Sequence, residues 1–171
     1  ERLSLTVHKD GFKYQQDYKD SLPIKPLEKN GNTDHTGTVI QFLPSTKYFK
    51  NLNYKEDVIK KRLKELAFLN SGITIKFTND VSGKETSYYY EGGLREYINE
   101  ILNNKKDIHD NLIYIDPIVK GNNTIEVSMK WTSSYTEQIM CYTNNIFQKD
   151  GGTHLSGFRS APVSYTHLRA H

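Results

Sequence analysis

Residues that could carry chemistry are thinly spread along this chain. His154 follows a glycine pair in Gly151-Gly152-Thr153-His154, but no carboxylate or nucleophile stands at a motif spacing from it. Paired glycines there suit a tight turn into a helix. Glu65 and Glu91 read as separate carboxylates, whereas general acid–base work needs its groups placed together. Cys141 is the only cysteine, which excludes a disulfide framework or a cysteine-based metal site within the chain and fits a reducing cytosol. The chain has no Gly-x-x-x-x-Gly-Lys-Ser/Thr phosphate loop and no Gly-x-Gly-x-x-Gly turn. Lys60, Lys61, Arg62 and Lys64 read as a solvated helix face rather than a nucleic-acid patch. The chain is therefore expected to hold no catalytic residue and no metal ligand.

The elements that would position these residues follow from periodicity. Leu3, Leu5 and Val7 alternate with polar residues, as a strand with one buried face does. Asp10-Gly11 is a two-residue hairpin signal, and Phe12, Tyr14 and Gln16 continue on the return strand. Residues 20–35 contain Pro23, Pro26 and Gly31 and predict a long connecting loop. Thr38 to Leu43 is a β-branched, apolar strand closed by Pro44. Asn53 with Glu56 resembles a capping box. A helix then runs through Val58, Ile59, Leu63, Leu66 and Ala67 and stops at Asn70-Ser71-Gly72.

Ile73, Ile75 and Phe77 predict another strand, and Thr86 to Tyr90 its hairpin partner. Gly92-Gly93 is the candidate domain boundary. Beyond it come a helix on Leu94, Tyr97, Ile98, Ile101 and Leu102, strands at Leu112–Ile115, Thr124–Trp131 and Gln138–Thr143, and a short helix over Leu155–Ser160. Trp131 is expected to pack in a core or interface. The fold class is α+β. With 36% hydrophobic and 25% charged residues the composition is globular, the net charge of +3 is mild, and no stretch suits a membrane helix.

Four segments then carry a resemblance. They are Asp34-His35-Thr36-Gly37-Thr38-Val39-Ile40-Gln41-Phe42-Leu43-Pro44-Ser45; Arg62 to Gly72, ending Ala67-Phe68-Leu69-Asn70-Ser71-Gly72; Tyr90-Glu91-Gly92-Gly93; and Cys141-Tyr142-Thr143-Asn144-Asn145-Ile146 followed by Asp150-Gly151-Gly152-Thr153-His154-Leu155 and Gly157-Phe158-Arg159. In order and spacing they resemble the gyrase B family of bacterial type II DNA topoisomerases over about residues 1 to 161. The resemblance implies the C-terminal part of a GHKL-type ATPase sandwich over residues 1–92 and the N-terminal part of an α/β transducer domain over 93–161.

It also implies ATP and Mg²⁺ as cofactors, self-dimerisation of the ATPase domains, the gyrase A subunit and double-stranded DNA as partners, no membrane, and a cytoplasmic location. The family's catalytic glutamate, its Mg²⁺-holding asparagine and its phosphate loops are expected upstream of Glu1, so the chain alone is expected to be inactive. Thr38 matches the family threonine that bonds adenine, and Ile40 an aliphatic residue beside the base. Lys9 falls where the family often carries arginine at the pocket mouth, a departure that exchanges a planar fork for a point charge. The alternatives are the B subunit of topoisomerase IV, with the same chemistry, and a non-catalytic α+β binding module.

Pro162 should stop the last helix, and Val163 to His171 resembles translated sequencing-adapter read-through. Residues 162–171 are expected to be a non-native tail. With no Met at Glu1, the chain is expected to be an internal fragment of a longer protein.

Overall fold

The computed structural model of the chain describes residues 1–103 and 105–169. It divides into two compact units, Glu1–Lys55 and the chain from Glu56 onward.

The first unit is a five-stranded antiparallel sheet. Strand β1 (Arg2–Lys9) pairs with β2 (Phe12–Lys19) in continuous register from Arg2↔Lys19 to Lys9↔Phe12. The predicted hairpin is made by Asp10 and Gly11, at φ 53° and 79°. Two left-handed residues give the primed turn whose twist matches the flanking strands. The 20–35 segment is not the loop expected: β3 (Leu22–Pro23) and β4 (Glu28–Asn32) both pair with β2. Edge strands tolerate proline and glycine because one side of their ladder needs no donor, so composition hid them. Strand β5 (Gly37–Leu43) pairs with β1 from Arg2↔Leu43 to His8↔Gly37.

The second unit opens with α1 (Glu56–Leu69), which buries Ala67 and Phe68. The expected capping box is absent. The Asn53 N–H donates to Asn51 Oδ1, and the Glu56 carboxylate instead accepts from Asn79 Nδ2 at 2.7 Å and pairs with Lys60 at 2.5 Å. The hairpin β6 (Ile75–Asn79) and β7 (Lys84–Tyr88) follows, then α2 (Leu94–Leu102). Gly93 enters α2 at φ 54°, ψ −125°, a conformation open only to glycine. Phe68 stacks on Tyr90 at 3.6 Å and on Tyr97 at 5.0 Å. One aromatic column thus joins α1 to both sides of Gly92-Gly93.

Strands β8 (Ile113–Lys120) and β9 (Asn123–Met129) form a hairpin with an irregularity between Ile115 and Ile118. Trp131 is not core: it is 55% exposed, with its ring tilted against His109. It stands just past β9, where its backbone N–H donates to His109 Nε2 at 3.0 Å. The strand expected over 138–143 reduces to β10 (Tyr142–Thr143), paired with β11 (Ile146–Phe147). The last helix, α3 (Gly152–Arg169), runs past Pro162 instead of stopping there. Proline's fixed φ is compatible with helical backbone; inside a helix it forgoes one backbone hydrogen bond and crowds the preceding turn, a cost of about 3 kcal/mol that disfavours the helix without forbidding it. The end of the expected tail, Ala170 and His171, lies outside the described residues.

Candidate functional site

Lys9, Thr38 and Ile40 belong to the first unit, and the strand register settles how they relate. Thr38 lies opposite Val7 and Ile40 opposite Leu5 across β1–β5. Directly opposed residues share a face, and alternate residues of one strand do too. Thr38, Ile40 and Phe42 therefore share a face with Leu3, Leu5, Val7 and Lys9. Tyr14 and Tyr18, opposite Val7 and Leu3 in β2, extend the same face. The other face carries Val39 and Leu43 but is otherwise mainly polar: Ser4 Oγ donates to Asp17 Oδ1 at 2.6 Å, and His8 Nδ1 lies 2.9 Å from Thr33 Oγ1.

The face carrying the candidate residues is open. Thr38 and Lys9 are exposed, and Ile40 is 60% exposed. A hydroxyl that can both donate and accept, flanked by aliphatic carbon, suits the edge and plane of a purine. A lysine at the strand end offers a point charge to an anion. These side chains fit the base of a nucleotide and one charge near it. Among the described residues no group of three or more His, Cys, Asp or Glu is gathered to hold a metal ion. A shallow cleft in the second unit, lined by Phe68, Tyr90, Glu96, Asn99, Glu100 and Asn103, is a poor anion site because two of its walls are carboxylates.

The other residues singled out from sequence resolve differently. His154 is exposed in the first turn of α3, entered through Gly151 and Gly152 at φ 75° and 66°. The helix cations are not simply solvated. Lys60 pairs with Glu56, Arg62 with Glu65 and Lys64 with Glu100.

Nor is Glu65 isolated. Its carboxylate accepts from the Arg62 guanidinium, from the Tyr142 hydroxyl, and at 3.5 Å from the Tyr97 hydroxyl. Burial would raise its pKa, but the Tyr142 and Arg62 hydrogen bonds outweigh it and hold the carboxyl below its ordinary value. Burial and the bond to Glu65 push the Tyr142 phenol up. Sequence reasoning missed this cluster because its partners lie far apart in the chain. The available signal was that Arg62, Glu65 and Tyr142 all fall inside the quoted motif segments.

Residues 93–167 match the family model described as DNA gyrase B. DNA gyrase B of Chlamydia pneumoniae is 38% identical over 178 residues, which span 100% of this chain and 22% of that protein. DNA gyrase B of Borreliella burgdorferi is 38% identical over 160 residues, 92% of this chain and 25% of that protein. Among solved structures, the 43K ATPase domain of Thermus thermophilus gyrase B, in complex with an aminocoumarin, is similar with a TM-score of 0.79 and 28% identity, covering 94% of this chain and 44% of that one. The topoisomerase IV ATP-binding domain of Francisella tularensis gives a TM-score of 0.77 at 28% identity, with 91% and 42% covered.

The fold is thus the α+β, GHKL-type fold of type II topoisomerase ATPase domains. Within that class the chain belongs to the DNA gyrase B family, and the topoisomerase IV alternative is not favoured by the curated relatives. The chain spans about a quarter of the length of those relatives. Among the described residues no helix is long and apolar enough to cross a membrane.

Proposed function

We propose that this chain supplies the adenine-side wall of an ATP site within a full-length gyrase B protein. Residues 1–92 would complete its ATP-binding domain and residues 93–161 begin its transducer domain. The supporting observation is that Lys9, Thr38 and Ile40 share one open sheet face across β1 and β5. Thr38 bonds the base edge, Ile40 covers its plane, and Lys9 offers a charge at the rim. Bound ATP with Mg²⁺ supplies a phosphoanhydride whose hydrolysis can drive work; these residues bind and orient it.

The full-length protein dimerises through its ATPase domains, assembles with gyrase A, acts on double-stranded DNA in the cytoplasm, and couples ATP turnover to strand passage and negative supercoiling. The chain by itself hydrolyses no ATP, since no general base or phosphate loop was found in its sequence.

The test is steady-state ATP hydrolysis by the full-length protein carrying Thr38→Val. One lost hydrogen bond to the base should raise KM for ATP about fivefold and leave kcat within about twofold. An unchanged KM would remove Thr38 from the site. Hydrolysis by the repurified 171-residue chain above background would contradict the inactivity proposed for it.

A further inference from the structure

Segments far apart in sequence meet in the second unit at a polar cluster that nucleotide contact does not use. Glu65 is its hub, with a side chain only 21% exposed. Besides the bonds from Arg62, Tyr142 and Tyr97, the two phenol oxygens lie 3.2 Å apart. Arg62 turns its second terminal nitrogen to the Asn145 carbonyl at 2.7 Å. Asn145 Nδ2 donates to Asn70 Oδ1 at 2.8 Å, and Asn70 Nδ2 donates to the Leu66 carbonyl at 2.7 Å. Asn144 and Asn145 are both left-handed, at φ 49° and 63°.

The hairpin β10–β11 is therefore fixed to α1 and α2 by directional bonds more than by apolar area. Its strand residues are exposed apart from the half-buried Tyr142. Hydrogen bonds to a carboxylate are stronger than neutral ones and have narrow geometry, so this arrangement specifies one orientation of the hairpin.

We propose that Glu65 is a positioning residue. It fixes the β10–β11 hairpin, and through it the entry to α3, on α1, so that ATP turnover is converted into strand passage. The inference rests on the gyrase B reading: α1 falls within residues 1–92 and the hairpin within 93–161, so the cluster joins the two proposed domains. A cluster that only stabilised the fold would change the melting temperature and leave the work obtained per ATP untouched.

The experiment compares wild type, Glu65→Gln and Tyr142→Phe in the full-length protein assembled with gyrase A. It reads ATP hydrolysis, KM for ATP, and supercoils introduced per ATP hydrolysed. Weakening a charge-assisted bond should lower the supercoils obtained per ATP about tenfold in Glu65→Gln and about threefold in Tyr142→Phe, with hydrolysis and KM within about twofold of wild type. Tyr142→Phe keeps the ring against Phe147, 5.6 Å away, and decides alone if Glu65→Gln fails to fold. An unchanged ratio, or hydrolysis and supercoiling falling in parallel, overturns the proposal while leaving the gyrase reading intact. A wild type that neither hydrolyses ATP nor supercoils DNA removes that reading and this inference with it.

Discussion

The two units hold themselves together in different ways. The first is a sheet whose regular ladder runs unbroken through β1, β2 and β5, yet Val39, Ile40, Phe42 and Leu43 of β5 are all at least 48% exposed. Its order comes from backbone pairing. Among the described residues the strands of the second unit pair as separate two-stranded hairpins, but the unit has a centre, with Phe68 only 2% exposed beneath Tyr90 and Tyr97 and a carboxylate network beside it. An open, regular surface suits contact with a ligand or neighbour, whereas a packed joint suits fixing one element on another. Substitutions should accordingly unfold the second unit and mostly spare the stability of the first.

The largest effect expected is at the aromatic column. Phe68→Ala should cost about 3–5 kcal/mol in denaturant unfolding, from lost burial and the cavity left behind. A cost below that of a surface substitution would show that the second unit has no centre there. Gly93→Ala should follow. The backbone at φ 54°, ψ −125° is strained for any Cβ, and an added Cβ would lie 3.3 Å from Ser71 Cβ; the cost should be about 1–3 kcal/mol. In the first unit, Ser4→Ala removes the bond to Asp17 and should cost about 1 kcal/mol. A larger loss there than at Phe68 would reverse the comparison.

The Glu65 network adds a pH signature. Its folded carboxyl titrates below the ordinary 4.5 because burial, which raises the pKa, is outweighed by bonds from Tyr142 and Arg62. Its stabilisation is therefore complete above that ordinary value and is lost as pH falls below it, through the folded pKa. Acid unfolding of Glu65→Gln should begin from lower stability and fall less steeply with pH below 4.5. Parallel acid limbs for the variant and wild type would contradict this.

Local signals read well where chain chemistry is local. Asp10-Gly11 defined its hairpin, and Asn70-Ser71-Gly72 the end of α1, because turn conformations and helix ends depend on single residues. The shared face of Lys9, Thr38 and Ile40 was not legible, since it needs the β1–β5 register across a long connection. Strands β3 and β4 were hidden by proline and glycine, and Pro162 proved compatible with a continuing helix. Glu65 looked solitary because its partners Tyr97 and Tyr142 are brought to it only by tertiary packing. The motif segments were nonetheless informative: Asn70 and Asn145, each inside one, bond to each other.

The most direct test of the central claim is photolabelling of the full-length protein with 8-azido-ATP, followed by peptide mapping. The label should fall on β5, within Thr38 to Phe42, and be displaced by unlabelled ATP. Displaceable label found only on other segments, with β5 unmodified, would contradict the assignment of this sheet face to the nucleotide.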